Sequence, residues 1–522
     1  MNPRTEGRTQ GSGRTASTPS EPQLTIYNGL TKRREEFASL EPQSVKMYTC
    51  GLTVNNLMHI GHARCYIFWD VVERYLGQLG YHVRHVSNVT DISVDDRILR
   101  RLRETGESFQ QLIIRHTRDY FEDRRRLGIA DPFLFALATQ HIPEMIELVQ
   151  RLLDRGNAYI AEDGVYFRIS SFPNYGRLSG VRPDALHAGA GGRVAQDEYD
   201  KENVGDFALW KHAQPGEPYW YSPWGTGRPG WHIECSAMAM KYLGESLDIA
   251  GGGEDNLFPH HENTLAQSEA ATGKPFVRFW MHVRHLKLHG EKMSKSTGNS
   301  LTARDACDKY GPATVRLFLL SAHYRKPIDF NETELAETGL RVRRLQRAVT
   351  LLTAVQWSGR PAGSDDSVAG GQLRNVERLF RTAMNDDFNT ALALNHLFRH
   401  ITQLLPRLDP APTIGSQLAA EILDALHRMG TILFGNLYDQ EVARPPSVEA
   451  DKLVELVLAE RELLRRNKQY NRADVIRKEL HDIGIEVSDT AAGPVWVPMR
   501  AESVESPSEP QNKDTARRKT KR

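Results

Sequence analysis

Two short segments carry residue types suited to handling phosphate. His59-Ile60-Gly61-His62 sets two histidines three residues apart, and Lys292-Met293-Ser294-Lys295-Ser296 gathers lysines and serines in one run. At the start of a helix, histidines so spaced can present ring N–H donors beside an N-terminus whose dipole already favours anions. Gly61 has no Cβ, so a base or phosphate can approach its backbone closely. Lys292 and Lys295 add positive charge suited to a triphosphate whose α-phosphorus takes on extra charge during displacement. The chemistry indicated is nucleotide transfer at the α-phosphate, with pyrophosphate leaving. No Walker loop is present in the sequence, which argues against ordinary γ-phosphoryl transfer. Either segment alone also reads blandly, as a solvated helix cap or a polar loop.

The elements that must position these segments favour the functional reading. Ser44 to Gly51 is extended, Ala63 to Gly77 has a helical pattern, and Tyr81 to Val86 is a second strand. Strand, helix, strand reads as a βαβ crossover and so as a parallel sheet. Later signals, with Met281 to Leu288 as the last strand candidate, predict a Rossmann-like, doubly wound α/β domain over 24–301 with an insertion at about 140–210. Ligands of such folds bind at the carboxyl ends of strands near the switch point, so both segments should face one crevice. The insertion holds the glycine-rich stretch 188–192, expected to be a mobile loop. From Thr302 to about Tyr438 apolar residues such as Val342, Leu345, Val349 and Leu352 recur at helical spacing, predicting a bundle (302–445) broken by a linker at 362–371. After Pro445-Pro446, a small domain (446–500) should pack Leu453, Leu456, Val457, Ala473, Ile476 and Leu480 and end in a β-like piece around Trp496. The polar ends, 1–23 and 501–522, should be disordered, and the second of them is basic.

Composition narrows the setting. Lys plus Arg is 67 against 66 Asp plus Glu among 522 residues, a net charge of +1, so nucleic acid must be met by local patches. Cys50, Cys65, Cys235 and Cys307 are too few and scattered for a disulfide framework, which points to a reducing compartment and leaves metal binding open. The first 23 residues lack the apolar core of a secretory signal, and no apolar run is long enough to span a bilayer. A cytoplasmic protein without membrane contact is expected.

Further motifs make the kinship specific. They are Cys50-Gly51, Asn88-Val89-Thr90-Asp91, Trp224-Gly225, the run from Gly227 to Ser236, Gly251-Gly252-Gly253-Glu254-Asp255, and Phe258-Pro259-His260-His261-Glu262-Asn263. With the two signatures, in this order, they make the chain resemble the class I aminoacyl-tRNA synthetases, and among them the cysteinyl-tRNA synthetase family, over about residues 24–500. The resemblance implies that ATP is bound by His59, Gly61, His62, Lys292, Ser294 and Lys295, with His59, His62, Lys292 and Lys295 catalytic. It also implies that L-cysteine meets Gly51, Thr53 and Trp231, and that one zinc ion per chain, held by Cys50, Cys235 and His260, recognises the substrate thiol. Mg²⁺ would accompany ATP, cysteine tRNA would receive the acyl group, and the enzyme would act as a monomer. Spacing alone gives none of the zinc reading, since Cys50 and Cys235 lie 185 residues apart.

The chain departs from the family pattern in two places. Thr264 stands where relatives place a fourth ligand, a Glu, so three protein ligands and an exchangeable position are expected. Residues 52–57 read Leu-Thr-Val-Asn-Asn-Leu, where relatives commonly have Pro at 52 and an aromatic or acidic pair at 55 and 56. For RNA, Arg465, Arg466, Lys468, Arg472, Arg477 and Lys478 near Tyr470 and Trp496 combine phosphate neutralisation with stacking, and the resemblance makes 446–500 the anticodon-binding domain. Two rivals are a ligase joining cysteine to a sugar-linked amine and a non-catalytic RNA-binding paralogue.

Overall fold

A computed structural model describes residues 23–54, 56–92, 106–182, 205–214, 217–288, 291–292, 301–443, 450–482, 485–490 and 493–498. Strands β1 (Ser44–Thr49), β2 (His82–Val89), β3 (Leu134–Leu137), β4 (Leu247–Gly253) and β5 (Val277–Val283) form one parallel sheet in the order β5-β4-β1-β2-β3. Helix α1 (Ile60–Gln78) crosses from β1 to β2 and buries Ile67, Phe68, Val71 and Tyr75. Both faces of the sheet are covered, so β4 reads as a run of buried residues rather than an alternation. The strand order reverses between β1 and β4, which opens a crevice at their carboxyl ends.

The insertion between β3 and β4 carries a helix (Ile142–Asp154) and an antiparallel sheet of Ala158–Ala161, Gly164–Phe167, Phe207–His212 and Gly227–Pro229. It therefore extends past residue 210. A Cβ at Gly230 would lie 2.0 Å from the Ala208 carbonyl, so glycine there lets the last strand hug its neighbour and deliver helix α2 (Trp231–Leu243) to the crevice. The glycine-rich stretch 188–192 lies outside the described residues.

Where one strand was expected over 281–288, the chain breaks after β5 and resumes as β6 (Leu286–Leu288). This strand pairs antiparallel with β7 (Glu291–Lys292) and parallel with β8 (Ile328–Phe330). At the break, Arg64 Nη1 donates to the carbonyls of Arg284 and His285 at 2.9 and 3.0 Å.

Helices follow from Ala303 to Phe434, with β8 among them. The expected linker is only partly one, because residues 366–385 are helical despite Gly370 and Gly371. Ala369 and Gly370 are buried there, with Gly370 facing Leu418, and packing outweighs the roughly 1 kcal/mol helix penalty of each glycine. A buried ion pair between Arg316 and Asp70 joins the bundle to α1, while Arg316 Nε donates to the Leu433 carbonyl at 2.8 Å.

The described residues up to 443 form one compact unit and those from 450 to 498 a second. In the second, helices Ala450–Arg466 and Tyr470–Asp482 precede a hairpin, Ile485–Thr490 with Gly493–Pro498, which includes Trp496. Val454, Leu458, Leu480 and Val487 form its core, whereas Leu456, expected inside, is 68% exposed. Arg461 is buried and makes two hydrogen bonds to Asp489, at 2.6 and 2.8 Å. Among the described residues no helix is long and apolar enough to cross a membrane. The tail 501–522 lies outside the described residues, as do residues 1–22.

Candidate active site

A cavity of about 370 Å³ occupies the crevice, floored by the ends of β1, β2, β4 and β5. At one end stands the first turn of α1. His59 is its N-cap, and the ring Nδ1 accepts from the His62 amide at 3.2 Å. In the neutral ring the proton then sits on Nε2, so any hydrogen bond His59 donates to a phosphate comes from that nitrogen. The rings of His59 and His62 stack with centroids 3.4 Å apart, and both line the cavity together with Gly61. The capping reading of this motif holds, and the capping falls to His59.

The residues that follow the second signature reach the same place through the main chain. Lys292 ends β7, and the chain re-emerges at Leu301, whose carbonyl accepts from the Ile60 amide at 3.1 Å. The Ala303 amide donates to the Met58 carbonyl at 2.8 Å, so His59 and Thr302 lie opposite each other in an antiparallel bridge. The exit of the lysine loop is therefore stitched to the start of α1. Ser294 and Lys295 lie outside the described residues, and of Lys292 only the backbone is placed.

Sulfur and imidazole gather at the other end. Cys50 follows β1, Cys235 sits on α2, and His260 and His261 precede helix α3 (Glu262–Thr272). The Cys50 and Cys235 sulfurs are 3.9 Å apart. Two sulfurs on one tetrahedral zinc, each at about 2.3 Å, would be about 3.8 Å apart. Ligand atoms of Cys50, His260 and His261 lie within 4.8 Å of one another, and all these residues are buried. His260 stacks under the indole of Trp231, with centroids 4.4 Å apart, and its Nδ1 lies 3.0 Å from His232 Nδ1. Hydrogen bonding with Cys235 and burial push Cys50 well up, while Cys50 and His260 hold Cys235 well down. Burial holds the His232 and His261 rings neutral and takes His282 down to about 3. Neutral imidazoles beside a readily ionised thiol suit a soft cation and fit zinc.

Thr264 lies one helical turn beyond His260, and its hydroxyl donates to the His260 carbonyl at 2.8 Å. That is ordinary back-bonding within a helix. His261 is the residue sequence reasoning missed: its Nε2 is 3.1 Å from the Cys50 sulfur, and its Nδ1 is 2.8 Å from His282 Nε2. Adjacency to His260 was the available signal. Between the two ends lie Gly51, whose amide donates to Asn88 Oδ1 at 2.9 Å, and Thr53, bridged to Thr90. A Cβ on Gly51 would fall 1.7 Å from the Asn88 carbonyl, so only glycine fits there. Trp231, 45% exposed, forms the wall above His260. The structure thus brings Gly51, Thr53, Trp231, Cys50, Cys235, His260, His59, Gly61 and His62 around one cavity.

Comparison with known proteins points the same way. The family model described as "tRNA synthetases class I (C) catalytic domain" matches residues 36–339, and the DALR domain matches 379–434, within the helical bundle. A cysteine--tRNA ligase of Syntrophotalea carbinolica is 45% identical over 487 residues, covering 91% of this chain and 99% of its own length. One from Thermococcus onnurineus is 41% identical, covering 91% and 98%. Among solved structures, Mycobacterium tuberculosis methionyl-tRNA synthetase with methionyl-adenylate matches at 16% identity with a TM-score of 0.53, over 80% of this chain and 94% of that one. At that identity the match speaks to fold alone.

Proposed function

The chain belongs to the class I aminoacyl-tRNA synthetases, as a member of the cysteine--tRNA ligase family, and from that premise we propose how its residues divide the ligation of cysteine to cysteine tRNA. In the first step the carboxylate of L-cysteine attacks the α-phosphorus of ATP, pyrophosphate leaves, and cysteinyl-adenylate forms. In the second, a ribose hydroxyl at the tRNA 3′ end attacks the acyl carbon and AMP leaves. No enzyme nucleophile is needed. Positioning and charge stabilisation carry both steps.

His59 through Nε2, His62 and the Gly61 amide receive the phosphates, with Mg²⁺ entering alongside ATP. Lys292, Ser294 and Lys295 belong to the same site by their place in the second signature, which the Leu301–Ala303 stitch returns to α1. Gly51 and Thr53 border the amino acid, and Trp231 closes over it. Cys50, Cys235 and His260 would hold zinc, with His261 bonded to Cys50 from behind. When bound, zinc would supply affinity for a thiolate that a hydroxyl does not match, so serine is refused without a separate editing step. The hydroxyl of Thr264 is engaged with backbone, so Thr264 adds no ligand to that set.

For the tRNA, residues 450–498 supply a basic, partly aromatic surface. Tyr470 and Arg466 are exposed there, although Arg465 is drawn to Asp489 at 3.2 Å. Four buried free cysteines support a reducing compartment, the cytoplasm. The observation that carries the reading is the pair of sulfurs 3.9 Å apart in the same cavity as the His59–His62 cap. ATP–pyrophosphate exchange tests it: exchange should depend on cysteine and be nearly absent with serine. Equal exchange with both would overturn the thiol assignment.

A further inference from the structure

One guanidinium ties the helix of the first signature to the strand of the second. Arg64 lies on α1 two residues after His62, and only 2% of it is exposed. Its Nη1 donates to the carbonyls of Arg284 and His285 at 2.9 and 3.0 Å, and its Nη2 to those of His323 and Lys326 at 3.3 and 2.6 Å. Arg284 and His285 line the cavity and lead from β5 into β6, while His323 and Lys326 lead into β8. β6 pairs with both neighbours: Leu286 stands opposite Ile328 of β8, and Lys287 stands opposite Lys292 of β7. A single side chain thus holds the roots of two strands, and the third strand of that small sheet carries Lys292.

The arrangement is costly by itself. Among the described residues Arg64 has no carboxylate in hydrogen-bond or ion-pair contact; its hydrogen bonds go to carbonyls, and the Glu254 charge acts on it from farther off. A buried cation hydrogen-bonded only to carbonyls is expensive, and burial pulls its pKa down. Four acceptors from two segments also suit the planar fork of arginine and no other side chain, because the ammonium of lysine presents its donors from one point.

We propose that Arg64 is a positioning residue for adenylate formation: it fixes the Arg284–Leu286 wall and the Lys292 strand in register with His59 and His62. The proposal rests on reading the cavity as the adenylation site. It acts through geometry, since nothing places Arg64 against the substrates.

The test uses the full chain with Arg64→Lys and Arg64→Gln, assayed below each variant's own melting temperature. Cysteine-dependent ATP–pyrophosphate exchange gives kcat and the KM for ATP and for cysteine, and metal analysis is run alongside. Arg64→Lys should lower kcat on the order of a hundredfold, as misplacement of reacting groups by about 1 Å does, while metal content and the KM for cysteine stay unchanged. In a Lys292→Ala background the same substitution should cost much less, because the strand it positions no longer carries the charge. Wild-type kcat in a folded Arg64→Lys or Arg64→Gln protein would overturn the proposal. So would a loss that only follows the folded fraction, or failure of both variants to fold, either of which makes Arg64 a residue of stability. Absence of cysteine-dependent exchange in the wild type would instead overturn the adenylation reading.

Discussion

The end of the cavity proposed for the nucleotide and the end proposed for the thiol are built in opposite ways. At the end proposed for the nucleotide the described groups lean on the backbone: a helix N-terminus, a histidine that caps it, and residues 301–303, joined to 58–60 by two main-chain hydrogen bonds. At the thiol end they are side chains from three distant segments, buried and packed against one another. Phosphate charge is spread over many oxygens, so dipoles and long lysines can meet it from several positions. Telling sulfur from oxygen is a question of one atom, and it requires donors fixed to within a few tenths of an ångström.

If the ends are separable, damage to one should spare the other. The largest effect is expected from Cys235→Ser, which should lower kcat/KM for cysteine on the order of ten thousandfold, as loss of a specific buried polar contact does, and remove metal while leaving the KM for ATP nearly unchanged. Metal analysis with exchange kinetics checks this, and a matching collapse in ATP binding would mean that the two ends are one structure. Next, Lys295→Ala should slow adenylation by a hundredfold to a thousandfold, roughly the effect of losing one donor to a developing charge, and weaken ATP binding much less. Equal losses in rate and binding would remove Lys295 from the transition state.

A third expectation sets the whole cavity against the second unit. Ending the chain at Arg444 should leave cysteine activation intact and reduce charging of cysteine tRNA roughly tenfold to a hundredfold, the scale of one lost stacked base. Full charging by the shortened chain would move anticodon reading to the bundle, where the DALR match lies.

The same contrast governs how much could be read from sequence. The place of the first signature was legible because its histidines sit in one short run and the βαβ pattern puts that run at the crevice, where His59, Gly61 and His62 line the cavity. The thiol end was not legible from spacing. Cys50 and Cys235 meet only because β1 and β4 are neighbours in the sheet and α2 packs beside them, and family resemblance had to supply the pairing. His261 escaped notice beside His260 because nothing in a sequence tells which of two adjacent rings turns toward a sulfur. The linker at 362–371 was misjudged where Gly370 and Gly371 suggested a loop, since packing against Leu418 is a tertiary fact. The break between β5 and β6 was equally hidden, and the arginine that bonds its carbonyls stands more than 200 residues earlier.

The smallest expected effect is the one most particular to this chain. Thr264→Glu should restore a fourth ligand and slow metal loss to a chelator by about tenfold, with little change in exchange rate. No change in metal release would show that the residue at 264 does not reach the metal.

The central claim is that a metal held by Cys50, Cys235 and His260 reads the substrate sulfur. X-ray absorption at the zinc edge, on protein purified without chelators, addresses it most directly. The account predicts about two sulfur neighbours per zinc in the free enzyme, a third on adding cysteine, and no added sulfur with serine. Cysteine-specific exchange by protein that contains no zinc, or a sulfur count unchanged by cysteine, would contradict it and leave thiol selection to the shape of the pocket beneath Trp231.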